Sequence, residues 1–172
     1  MSYILRIINK NRWYRDAENY PGKEQADAPA DTLVDLRTEE NELSVWLVDD
    51  DLANLERLLA ALAANRQRLD KLDYTLFSEE IFEQIGIQVQ QTVGDVPDAV
   101  VNQWHLALVN LTAMQVAELA RSIWHSPVTQ TFRCLPKQVA KLIAQAIHQE
   151  YFRLEQLQSD LHAEVVKYMA RP

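Results

Sequence analysis

From Glu42 to Leu72 an apolar alternating run passes through three consecutive aspartates into a leucine-rich helical pattern. Leu43, Val45, Trp46, Leu47 and Val48 come first, at the period of a strand. Asp49, Asp50 and Asp51 follow. Leu52, Leu55, Leu58, Leu59, Leu62, Leu69 and Leu72 then recur at helical spacing, with five alanines between them to favour the helix. The stretch reads as strand, acidic turn, amphipathic helix. Asp50 or Asp51 is the natural N-cap, because its carboxylate can accept bonds from the free amides of the first turn.

The segments on either side extend this pattern. Tyr3 to Ile8 is rich in β-branched and aromatic residues and predicts a strand. Thr32 to Leu36 predicts a second, joined to the third at Glu42 to Val48 by a turn over Thr38–Asn41, with Asn41 left-handed. Between the first two, residues 16–31 hold prolines, a glycine and many charges, and read as a mobile surface loop. Tyr74 to Phe77 reads as a short extended link. Ser78 caps a helix that Gly86 closes. Ile87 to Val93 alternates as a strand, residues 99–111 fit a core helix somewhat better than a buried strand, and Val128 to Leu135 is a strand or an extended connector. Thr112 and Gln115 form a capping box for another helix. From Pro136, placed where a first-turn proline belongs, apolar residues recur every three or four positions to Tyr168. One helix over that span would be roughly 50 Å long, so it either breaks near Gln149–Tyr151 or projects. The expected fold is α+β in one domain of 172 residues. A small three-stranded antiparallel sheet occupies residues 1–48, and a mainly helical part over 49–172 ends in a long helix.

Charge and composition narrow the function. The net charge of −8 argues against direct binding of nucleic acid. Residues 1–15 carry Arg6, Lys10, Arg12 and Arg15 and no acid, whereas residues 24–51 carry ten acids against Arg37 alone. Such a split suggests electrostatic pairing within the fold or with a partner. Arg12-Trp13-Tyr14-Arg15 interleaves cations with aromatics, as a base-stacking site would, but aromatic anchors with snorkelling arginines are the simpler reading. No apolar run approaches the roughly 18 residues of a membrane helix. No secretory leader is apparent. With Cys134 as the single cysteine, the expected compartment is the cytoplasm.

Catalytic chemistry is harder to place. Leu47 to Asp51 before a leucine-rich helix resembles the first strand and acidic pair of two-component receiver domains. Leu108-Val109-Asn110-Leu111-Thr112-Ala113 resembles that family's Thr-containing strand. The resemblance implies a phosphate-accepting aspartate on a strand between them and a lysine beyond the threonine. Asp95 lies only 17 residues before Thr112, too close for the intervening helix and strand, and Leu135-Pro136-Lys137 reverses the family's Lys-Pro order. The receiver reading is therefore set aside. Gly22, Gly86 and Gly94 are isolated and build no phosphate-cradling loop. His105, His125, His148 and His162 form no metal-binding motif, and Cys134 in its apolar run reads as a structural thiol.

The expected function is thus a non-enzymatic, cytosolic protein-interaction module without a cofactor or catalytic residues. It would be an accessory or adaptor subunit, or an immunity-type protein, of a bacterial-style multiprotein system. Its partner would be another protein subunit or a second copy, held through Leu154, Leu157, Leu161, Val165 and Tyr168 on the last helix. The alternative is a small metal-dependent hydrolase or nuclease in which Asp49, Asp50 and Asp51 hold the ion.

Overall fold

A computed structural model describes residues 2–13, 27–126 and 129–170. A six-stranded sheet runs through them: β1 (Tyr3–Ile7), β2 (Leu43–Val48), β3 (Leu72–Ser78), β4 (Gln88–Gln91), β5 (His105–Val109) and β6 (Gln130–Cys134). Their spatial order is β4-β5-β2-β1-β3-β6, and every neighbouring pair is antiparallel. The helices are α1 (Leu55–Ala64), α2 (Glu80–Ile85), α3 (Ala113–His125), α4 (Pro136–His148) and α5 (Ser159–Met169).

The pairing fixes strand direction. β2, β3 and β4 run one way, and β1, β5 and β6 the other. Helices α1, α2 and α3 therefore each join two strands of like direction and must cross the sheet. Leu5, Trp46, Val48, Leu72, Tyr74 and Leu76 point to one face, where they form a core with α1, α4 and α5. Ile4, Leu43, Val45, Phe77 and Leu108 point to the other, where α2 and α3 cover them. The result is three layers, helix–sheet–helix, with two cores.

This corrects the expected architecture. The sheet is not a three-stranded N-terminal unit: four of its strands lie between Leu72 and Cys134. Thr32–Leu36 is not a strand. Ala30–Val34 is a 3₁₀ helix started at Pro29, whose carbonyl accepts from both the amide (2.9 Å) and the hydroxyl (2.7 Å) of Thr32. Tyr74–Phe77 is not a link but the middle of β3, buried along its whole length beside the central strand. Residues 99–111 hold a 3₁₀ turn and β5 rather than a core helix. The final periodic stretch is two helices. α4 stops at His148, the chain turns through a left-handed Glu150 (φ 59°), and α5 begins at Ser159. The break falls at Gln149–Tyr151, the point the spacing allowed for one.

Local signals hold. Glu40 (φ 52°) and Asn41 (φ 64°) are both left-handed, as a two-residue hairpin turn requires, and Glu39 and Glu42 exchange backbone bonds across it. Gly86 (φ 71°) closes α2, the Thr112–Gln115 box caps α3, and Pro136 opens α4. Two of the N-terminal cations, Arg6 and Arg12, are spent inside the fold. Arg6 donates to the carbonyls of Asp35 and Ser44, and Arg12 bonds the Asp35 carboxylate at 2.6 Å. Trp13 is buried and its indole N–H donates to Asp35 at 2.9 Å, so it anchors the loop. Tyr14, Arg15 and residues 16–26 of the expected mobile loop lie outside the described residues.

Candidate interaction groove

A concavity lies where α2 crosses the sheet. It is a groove of about 520 Å³ lined by Ile4, Phe82, Ile87, Val89 and Leu106, with Glu79, Glu80 and Glu83 also lining it. Ile4, Leu106 and Val89 come from β1, β5 and β4, and strand alternation sends all three side chains to the same face. The floor is therefore apolar because three strands, far apart in the chain, present their inward residues in one row.

The wall is set by α2. The Ser78 hydroxyl accepts from the Glu80 amide at 3.2 Å at the start of the helix, and left-handed Gly86 ends it two residues before β4. Phe82 packs edge-on against Phe77 of β3, with ring centroids 5.9 Å apart, which pins the helix to the sheet. Ile81 and Phe82 then face inward. Glu79, Glu80 and Glu83 are left along the exposed side of the helix. Among the described residues, none of the three takes part in an ion pair.

The carboxylates beside the groove have company. β2 and β3 run in the same direction on either side of β1, so Asp49–Asp51 leave the sheet at the same end as Glu79 and Glu80. β4 ends there as well, followed by Asp95. These acids are exposed at this end of the molecule, whereas two buried acids hold cations: Asp98 holds Arg57 and Asp73 holds Arg133.

The residues singled out from sequence fall as follows. Asp49, Asp50 and Asp51 are exposed in a turn, where Asp51 accepts from the Ala53 amide at 3.0 Å. Asn54 immediately precedes α1 and bridges back to the turn. Its side chain accepts from the Asp49 amide at 3.0 Å and donates to the Leu47 carbonyl. Among the described residues, no group of three or more His, Cys, Asp or Glu side chains is placed to hold a metal ion. Leu157, Leu161 and Val165 are buried in the core shared with α1 and α4, Leu154 packs against it, and Tyr168 is half-buried. That face of α5 is used within the chain. Burial, and next the charge of Asp73, push the Cys134 thiol upward, which keeps it protonated and a weak nucleophile. No helix of the described residues is long and apolar enough to cross a membrane.

Glu79, Glu80 and Glu83 were not singled out from the sequence. Their spacing carried a signal, because positions 79, 80 and 83 share one side of a helical turn opposite Ile81 and Phe82. The apolar floor had none, since it arises only when β1, β4 and β5 come together. No protein-family model matches the chain, and no curated protein or solved structure matches it.

Proposed function

We propose that the chain is a protein-interaction module, an accessory or adaptor subunit, which seats a basic, partly apolar segment of another polypeptide in the groove between α2 and β4–β5. One observation carries this reading: an apolar floor lies beneath three carboxylates that no cation of the described residues neutralises. Apolar side chains of a ligand segment would remove the floor from water, and its lysines or arginines would meet the rim. A second copy of this chain fits poorly, because its net charge of −8 would bring more negative charge to an acidic surface.

The test uses a blocked seven-residue peptide, Lys-Ser-Val-Ser-Val-Ser-Lys, whose lysines and valines share one strand face, with the counterpart carrying glutamate in place of lysine as control. The lysine peptide is expected to bind, more weakly as salt rises. The triple change Glu79→Gln, Glu80→Gln and Glu83→Gln is expected to weaken it severalfold without altering the circular dichroism. Equal binding of the two peptides, or no effect of the triple change, overturns the reading.

A further inference from the structure

We infer that the ligand segment binds as an added strand, antiparallel to β4, and not as a helix laid in the groove. The inference rests on the groove reading above and deepens it.

Among the described residues β4 is an edge strand, with β5 on one side and no strand on the other. Its four residues, Gln-Val-Gln-Gln, are all exposed. They carry neither the charge nor the proline by which edges are commonly protected against pairing. The groove reaches this edge, because Val89 belongs to both.

The hydrogen-bond alternation shows which backbone groups stand free. The Thr92 amide donates to the His105 carbonyl at 3.2 Å, so Thr92 and His105 are a bonded pair. Bonded and non-bonded pairs alternate along an antiparallel ladder. With the register Gln91↔Leu106, Gln90↔Ala107 and Val89↔Leu108, the Gln90 backbone is turned toward β5. The N–H and C=O groups of Val89 and Gln91 are turned outward. Their side chains are also the ones on the groove face. An antiparallel strand added here would pair with Val89 and Gln91. In such a pair, opposite residues point to the same face, about 5 Å apart. The residues that bond β4 would therefore be the ones whose side chains turn toward the apolar floor. The intervening residues would turn to the other face, where Gln88 and Gln90 are exposed. A segment with valines, flanked by lysines, at every second position satisfies the edge, the floor and the carboxylate rim together, because all of these side chains then share the groove face. Every existing pair in the sheet is antiparallel, so the addition continues its pattern.

Two experiments with the lysine–valine peptide test this. In the first, Gln91→Pro removes an outward N–H and no ladder bond, a place where an edge strand tolerates proline, while Gln91→Ala removes only the side chain. The expected result is about tenfold weaker binding for Gln91→Pro, from the loss of the outward bond and its geometry, and near-normal binding for Gln91→Ala. In the second, the wild-type protein meets two N-methylated peptides, which is informative even if the proline variant fails to fold. Methylation on the valines should abolish binding, because those amides face β4, and methylation on the serines should spare it. Equal binding of the two methylated peptides, or full binding by a folded Gln91→Pro protein, overturns strand addition and leaves the groove reading standing. Failure of the unmodified peptide to bind the wild-type protein overturns both.

Discussion

Arg57 grips Asp98 through two bonds, at 2.6 and 2.9 Å, across 41 residues of sequence. Asp98 is 1% exposed in its side chain, and it also accepts from the amides of Val100 and Val101. The guanidinium carbon lies 3.8 Å above the centre of the Tyr151 ring. One cation thereby joins α1, the turn before β5 and the bend between α4 and α5. Replacing Arg57 with methionine keeps the stem and strands a buried carboxylate. Because Arg57 is a quarter exposed, the expected loss is about 2–4 kcal/mol, toward the lower end for a broken buried pair. Urea unfolding should show a lower midpoint with an unchanged slope. Adding Asp98→Asn should recover part of the loss, since the orphaned charge is then gone.

Two titrating groups give the protein two separate pH windows. Burial pushes the His105 imidazolium below its ordinary value of 6.5, in a site where Nδ1 lies 2.6 Å from the Thr92 hydroxyl and the ring packs edge-on against Trp46. The unfolded chain takes up this proton more readily than the folded one. The contribution of neutral His105 is therefore complete above pH 6.5 and lost as pH falls through the lower folded value. Asp73 acts further down. Burial pushes its carboxyl up, but bonds from Arg133 at 2.7 and 2.8 Å and from the Lys10 amide at 2.9 Å outweigh that, so it lies below the ordinary 3.8. Its contribution is present above pH 3.8 and lost as pH falls through that depressed value. Stability measured in urea should therefore fall in two steps on acidification. His105→Gln should flatten the first and Asp73→Asn the second.

Sequence alone resolved the local chemistry and missed the long-range pairing, for a physical reason. Gly86, Asn41, Pro136 and the Thr112–Gln115 box act through bonds within a few residues, so their signals are local. β3 is different. Asp73, Thr75 and Ser78 make it look too polar for a buried strand, yet distant partners satisfy two of them: Arg133 and the Lys10 amide for Asp73, and the Gln130 carbonyl for Thr75. The final stretch misled in the opposite way. α4 and α5 both turn their apolar residues to the same core, so the spacing continues through a bend that contains no glycine or proline. For the groove, the rim was present in the spacing of Glu79, Glu80 and Glu83, and the floor required the strand order.

Gly94 sits against the six-membered ring of Trp46. A β-carbon there would overlap Cη2 and Cζ3 of that ring and crowd the Asn102 side chain at 3.1 Å. Neither neighbour yields easily. Trp46 is buried, and Asn102 both donates to and accepts from Val96, at 3.0 and 2.8 Å. Gly94→Ala should cost about 1–3 kcal/mol, as overpacking of a fixed core does. Thermal unfolding followed by tryptophan fluorescence should show the midpoint lowered by several degrees, with a shifted emission maximum in the folded state. An unchanged maximum would mean that the loop moves and the indole does not.

The face of α5 that sequence offered to a partner should behave as core. Leu161 and Val165 are fully buried and Leu157 is 7% exposed, packed in the cluster that contains Leu58, Leu72 and Ile143. Glu164 fastens the same helix by accepting from the Leu69 amide in the loop after α1. Leu161→Ala leaves a cavity the surroundings close only in part, for about 2–5 kcal/mol. Leu157→Asp with Leu161→Asp would place two carboxylates in that core without partners, a far larger cost, and the protein should lose its cooperative unfolding transition. Val166, turned away from Leu161 on α5, is 41% exposed. Val166→Asp should change stability by no more than about 0.5 kcal/mol. Circular dichroism and size-exclusion chromatography of the two Asp variants separate the cases. A folded Leu157→Asp, Leu161→Asp protein that merely changed its oligomeric state would show that α5 detaches from the sheet and offers this face outward.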